Sequence, residues 1–187
     1  MKFKNFGFLA LPAMLFVMSS CLGDDEEYSD YKEWRQENLT YIENAKAETV
    51  DGKSKYESIT PSWDKSFSIL MQWHNDRSKT ANNLSPLDNS TCNVKYILKN
   101  IEGDTIDSSY KLTEHGDSIF QCQPTGLITG FWTALTNMHV GDSVTAILPY
   151  TAGYGIMGSG TVLPYSTLIF GIKLVSIPSF ETIPGRQ

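Results

Sequence analysis

Three cysteines, three histidines and no basic cluster stand out in this chain of 187 residues, and each scarcity closes off a class of protein. Cysteines this sparse do not build a disulfide scaffold. His74, His115 and His139 lie far apart, with no carboxylate or cysteine at ligand spacing, so they read as solvated or structural histidines and no metal site is expected. Fifteen Lys+Arg against 21 Asp+Glu give a net charge of −6. Without clustered cations to neutralise phosphates, no nucleic-acid partner is expected. The longest apolar run, residues 6–18, is shorter than the roughly 20 residues that span a bilayer. What the chain does have is 41% hydrophobic and 12% aromatic residues, too apolar for disorder and long enough for one domain with extras.

Lys2 and Lys4 precede the apolar run, and Met18-Ser19-Ser20-Cys21 closes it. This is the pattern of a secretory signal. The last four residues resemble the lipobox of bacterial lipoproteins, with Met18 in place of the usual Leu, and the resemblance implies that Cys21 is lipidated and becomes the new N-terminus. Loss of residues 1–20 removes two lysines and no acids, leaving a net charge of −8. Asp24-Asp25-Glu26-Glu27 follows directly; such a run repels itself and extends. It also resembles a tag for surface-exposed lipoproteins in some Gram-negative bacteria. The expected address is the outer membrane of such a bacterium, facing periplasm or cell surface, held by acyl chains alone.

In residues 28–47, Tyr31, Trp34, Leu39, Ile42 and Ala45 recur near helical spacing without Gly or Pro, predicting one amphipathic helix that packs on the domain or stands as a stalk. Residues 51–55 read as a polar break and 60–62 as a turn. Phe67, Ile69, Met71 and Trp73 alternate with Ser66, Ser68, Leu70 and Gln72 as in a half-buried strand. Residues 75–90 form a polar loop. Strands are expected over 92–98, from 105, over 119–122, 143–148 and 167–177, with a hairpin signal at Glu102-Gly103-Asp104. Ile128, Phe131, Leu135 and Met138 predict a helix over 127–138, stopped by Val140-Gly141-Asp142. Strands, one short helix, then strands define an antiparallel α+β domain.

Five segments in order, Gly103…Ile106-Asp107-Ser108-Ser109, Leu127-Ile128-Thr129-Gly130-Phe131, Ile147-Leu148-Pro149, Ala152-Gly153-Tyr154-Gly155 and Val162-Leu163-Pro164-Tyr165…Phe170, resemble the FKBP-type peptidyl-prolyl cis-trans isomerases. The likeness covers roughly residues 91–177. It implies a bent antiparallel sheet wrapped around one short helix, and this division of the chain: signal 1–20, acidic tether and amphipathic helix 21–60, isomerase domain 61–180 and tail 181–187. The helix of 28–47 is too short to be a dimerisation arm, so a monomer is expected.

The resemblance implies catalysis of X–Pro rotation by Tyr96, Asp107, Phe131, Tyr154 and Phe170, with Ile106, Leu127, Ile128 and Val162 binding substrate. No cofactor is needed: a dry aromatic pocket disfavours the charge-separated planar amide. Tyr96 takes the place of a pocket tyrosine and Tyr154 that of the tyrosine whose hydroxyl donates to the substrate carbonyl. Leu127 and Ile128 open the helix, where a backbone N–H meets a carbonyl. Asp107 meets the substrate's acyl side or braces the turn through Ser108 and Ser109. Two positions depart from the family: Ile106 replaces a pocket Phe, and Phe131 replaces the Trp that floors the pocket. Trp132 points about 100° away and does not substitute for it. Slower turnover with an altered preference before proline is therefore expected. The partners are proline-containing polypeptides, with folding of exported proteins as the role. The alternative is a non-catalytic chaperone or proline-segment binding module. Cys92 and Cys122, both on expected strands, pair in a disulfide or stay as buried thiols.

Overall fold

Sixteen residues without Gly or Pro, Lys32–Ala47, form the first helix, α1, in a computed structural model that describes residues 31–179. Its inward face is Asn38, Ile42 and Ala45, while Leu39 is 37% exposed. Helical spacing in the sequence places Leu39 inward; the structure puts a polar residue, Asn38, there because its polar atoms are satisfied. Asn38 Nδ2 donates to the Trp34 carbonyl at 2.8 Å, and Asn38 Oδ1 accepts from the Thr167 N–H at 2.6 Å. Thr167 Oγ1 donates to the Asn38 carbonyl, and Trp34 Nε1 donates to Ser166 Oγ. Ile42 and Ala45 rest on Leu70 and Ile147. The helix therefore lies against the sheet.

Next comes a small hairpin, β1 (Thr49–Val50) and β2 (Lys53–Ser54), turned by Asp51 and Gly52 at φ 50° and 74°. Two consecutive positive φ values are the signature of a type I′ turn, for which Asp-Gly is a preferred pair. The remaining strands, β3 (Glu57–Ile59), β4 (Ile69–Trp73), β5 (Thr91–Lys99), β6 (Thr105–Ser108), β7 (Phe120–Cys122), β8 (Ser143–Leu148) and β9 (Leu168–Ser179), form one antiparallel sheet in the order β3-β4-β8-β9-β5-β6. β7 also pairs with β5, so one side of β5 carries β6 and β7 in succession. Pairing irregularities along β5 bend the sheet.

The expected alternation in β4 holds, with a change of environment. Ile69 and Met71 enter the main core, but Leu70 is also buried, because α1 covers the opposite face. The second helix, α2 (Thr129–Thr136), crosses the concave face and buries Gly130, Phe131, Thr133, Ala134 and Leu135. It is shorter than the 127–138 the sequence suggested, since Leu127 follows a 3₁₀ turn at Pro124–Gly126 and has extended backbone. Eight residues do not make a helix that is stable alone, so packing against β4 and β8 holds it.

A buried carboxylate fixes the end of α2. Asp142 is fully buried and accepts from Thr80 Oγ1, from Asn75 Nδ2 at 2.9 Å and from the His139 N–H at 2.8 Å. The Arg77 guanidinium completes the group, with Nε 3.5 Å from Oδ2 and its Cζ over the Trp73 ring, 3.7 Å from the centroid. Asn83 and Ser85 donate to the Val140 and Met138 carbonyls, so the polar stretch 75–90 is an ordered strap over the helix end. Burial alone would raise the Asp142 pKa. The bonds from Thr80, His139 and Asn75, with Arg77, outweigh it and hold the carboxyl below its ordinary value. The stability that depends on this depressed value is complete above about pH 4 and is lost as pH falls through the folded value. Asp142→Asn should cost about 2 kcal/mol or more at neutral pH and flatten the acid limb of a stability profile measured by urea unfolding between pH 7 and pH 3.

Candidate functional site

The concave side of the sheet, the start of α2 and the loop after β8 enclose a cavity of about 440 Å³. Strand alternation supplies one wall: Tyr96 and Leu98 of β5 face inward two residues apart, and Asp107 of β6 lies directly opposite Leu98. β7 adds Phe120, the 3₁₀ turn adds Gly126, and Leu127 and Ile128 lead into α2, whose Phe131 forms the floor with Phe170 of β9. Phe131 and Phe170 are each 4% exposed, whereas Tyr154 at the rim is 36% exposed. Of the residues expected from the sequence, the structure thus brings Tyr96, Asp107, Leu127, Ile128, Phe131, Tyr154 and Phe170 together.

Ile106 and Val162 do not line the cavity. Register runs from Leu98 opposite Asp107 to Lys99 opposite Thr105, leaving Ile106 as the extra residue of a bulge, where it packs against the core. Val162 is buried in the core beneath its loop, bridged to Ser159. Sequence reasoning passed over Leu98, Phe120 and Gly126. Period-2 alternation from Tyr96 would have found Leu98, and the short apolar run 119–122 already contained Phe120.

The rings meet edge to face. Centroids of Phe131 and Phe170 are 4.9 Å apart at 88°, those of Tyr96 and Phe120 5.4 Å at 73°, and those of Tyr96 and Phe131 6.0 Å at 84°. Trp132, one residue beyond Phe131, turns away: it stacks on Trp63 at 4.6 Å and donates Nε1 to Asp88.

The two tyrosines differ in what their hydroxyls do. Tyr96 donates to Asp107 Oδ2 at 2.6 Å, and burial together with this bond pushes its pKa well above the ordinary phenol value, so it stays protonated. The other Asp107 oxygen accepts from the Ser108 N–H at 2.7 Å, and the Ser109 hydroxyl binds the Tyr96 backbone. Asp107 both faces the cavity and braces its turn. The Tyr154 hydroxyl, in contrast, has no hydrogen-bond partner among the described residues. Its loop is set by the Gly155 N–H donating to the Tyr150 carbonyl and the Tyr165 N–H donating to the Gly155 carbonyl. Gly158, at φ 68°, lies so close to the Val162 carbonyl that a Cβ has no room.

These features can be set beside known proteins. The sequence pattern described as FKBP-type peptidyl-prolyl cis-trans isomerase matches residues 83–175. The FK506-binding protein 2 of Aspergillus oryzae is 30% identical over 100 residues, covering 46% of this chain and 75% of that protein. The macrophage infectivity potentiator of Trypanosoma cruzi is 34% identical over 94 residues, covering 50% of this chain and 46% of that protein. The chain therefore spans less than half the length of that relative. A crystal structure of a peptidyl-prolyl cis-trans isomerase from Pseudomonas syringae superposes with a TM-score of 0.61 at 21% identity, covering 79% of this chain and 95% of that one, which shows the shared fold. The chain belongs to the FKBP-type peptidyl-prolyl cis-trans isomerase family.

Gly130 lets α2 sit where it does. A Cβ there would meet Leu148 Cγ and Cδ2 at 2.5 Å and the Ala152 carbonyl at 2.9 Å. Gly130→Ala should lift the start of α2 and cost about 1–3 kcal/mol in urea unfolding.

Proposed function

We propose that the cavity binds X–Pro segments of polypeptides and catalyses their cis–trans isomerisation. The observation that carries this reading is a cleft of about 440 Å³ floored by Phe131 and Phe170, whose rim tyrosine, Tyr154, has a hydroxyl without a hydrogen-bond partner among the described residues. Rotation about X–Pro faces a barrier of roughly 20 kcal/mol because the twisted amide loses its resonance. Phe131 and Phe170 grip the prolyl ring on a dry floor. Removing water from the amide withdraws stabilisation from the planar, charge-separated form and little from the twisted one. Tyr154 donates to a substrate carbonyl and holds the peptide in a turn as the acyl side rotates. Tyr96 is already committed to Asp107, so it shapes the wall and is not the donor. Because Ile106 lies outside the lining, the residue before proline meets Phe120, Leu98 and Asp107.

Protease-coupled isomerisation of a proline peptide by the purified chain tests this. Tyr154→Phe should lower kcat/KM by about five- to tenfold, the worth of one hydrogen bond of about 1 kcal/mol. Phe131→Ala should lower it by at least about tenfold and reduce stability by about 3 kcal/mol. Peptide binding without any rate above background would identify a non-catalytic binding module instead.

Cys21 and the acidic run behind it lie outside the described residues. We propose that Cys21 carries a lipid anchor and holds the domain at the outer membrane of a Gram-negative bacterium, where it assists exported chains. The support is the order of the sequence: two lysines, the apolar run 6–18, Ser19-Ser20-Cys21 and four acids. Cys21→Ser should shift the protein from the membrane to the soluble fraction, and protease treatment of intact cells should degrade it only if it faces outward.

A further inference from the structure

Two nucleophilic side chains beside the cavity take no part in the proposed reaction. Cys92 of β5 and Cys122 of β7 are direct partners in the antiparallel register, followed by Asn93 with Gln121 and Val94 with Phe120. Residues opposed in this way have Cα atoms about 4.5–5.5 Å apart. A disulfide takes about 4.4–6.8 Å. Direct partners share a face, so both thiols lie on the core side, in line with Val94 and Phe120. Cys92 is fully buried and Cys122 half-buried, and both are free thiols in this structure.

From this register we infer that Cys92 and Cys122 are a disulfide site that fastens β7 to β5. The reaction consumes one disulfide of an oxidant, glutathione disulfide or the active-site disulfide of a dithiol oxidase. Each cysteine loses its proton, one sulfur attacks the oxidant's S–S bond, and the second then displaces the oxidant's remaining thiol. The products are the Cys92–Cys122 bond and two thiols on the oxidant, which receive both electrons and both protons.

Three features give the bond a purpose. β7 is only three residues long and meets β5 at three register pairs, yet it carries Phe120, a wall of the cavity packed on Tyr96. The segment leading into it turns through Gly116 and Ser118, both at positive φ, and its backbone hydrogen bonds, such as the Ser118 N–H to the Leu112 carbonyl, are local, with Ile119 buried just ahead of the strand. Burial pushes the Cys92 thiol up to about 11, and burial together with the neighbouring Cys92 pushes the Cys122 thiol up to about 12, leaving almost no thiolate once the strands are docked. The bond therefore forms as β7 docks, and the core then shields it. None of this depends on the cavity being catalytic.

The test uses the full chain carrying Cys21→Ser, so that only this pair remains. It is refolded from the reduced, unfolded state in a glutathione redox buffer. The expected product is lighter than the reduced chain by two hydrogens and takes up no iodoacetamide after denaturation. Non-reducing digestion should yield a peptide pair joined through Cys92 and Cys122. The bond should resist dithiothreitol in the native protein and yield to it in guanidinium. Backbone amides of Phe120–Cys122 should exchange at least tenfold more slowly than in the reduced protein or in Cys122→Ser, which replaces the less buried partner. Two alkylatable thiols after refolding, or separate glutathione adducts on Cys92 and Cys122, would overturn the site. Equal exchange in oxidised and reduced protein would overturn its fastening role.

Discussion

The pairing of β5 is the constraint on which the rest of the molecule depends. This nine-residue strand is hydrogen-bonded to β9 along one side and to β6 and β7 along the other. From it hang Tyr96 and Leu98, while Asp107, Phe120 and Phe170 come from the strands it pairs with. A shift of one residue in any of these registers would carry a ring from the cavity to the opposite face. The irregularities along β5 let one strand serve three neighbours, and at one of them Ile106 is the extra residue, packed on the core beside Asp107 of the lining.

Burial of polar groups is the second recurring device. Asp142 organises the strap 75–90 and the end of α2, and Asn38 fastens α1 to the start of β9. Each is buried because every strong hydrogen-bonding atom has a partner, and each ties segments distant in sequence. Such groups add directional specificity that apolar contacts lack. They fix where α2 ends and where β9 begins, and hence how the Phe131 and Phe170 rings meet.

Much of this was legible in the sequence, for physical reasons that differ by element. Alternation in residues 66–73 and 92–98 and the turn signal at Glu102-Gly103-Asp104 are local properties, and they located β4, β5 and β6. The family resemblance carried by the motifs around Asp107, Leu127, Phe131, Tyr154 and Phe170 implied seven residues that line the cavity. Other features depended on partners that spacing cannot reveal. Leu70 sits on the polar side of an alternating strand and is buried only because a separate helix covers it. Asn38 belongs to the core only because of Thr167, 129 residues away. Ile106 sits at a bulge, packed on the core, and a bulge inserts one residue into a period of two without any local mark. The Asp51-Gly52 turn was different: the dipeptide was a readable hairpin signal within what scanned as a polar break.

The docking of α1 also has a mechanical side. The helix is fastened near its midpoint, through Asn38, to Thr167, the residue just ahead of β9, and β9 supplies Phe170 to the cavity floor two residues past its start. A pull on the chain ahead of Lys32 loads the Asn38–Thr167 hydrogen bonds and the Ile42 and Ala45 contacts before it reaches the sheet. α1 thus acts as a strain relief, keeping tension on the leading segment away from the aromatic rings.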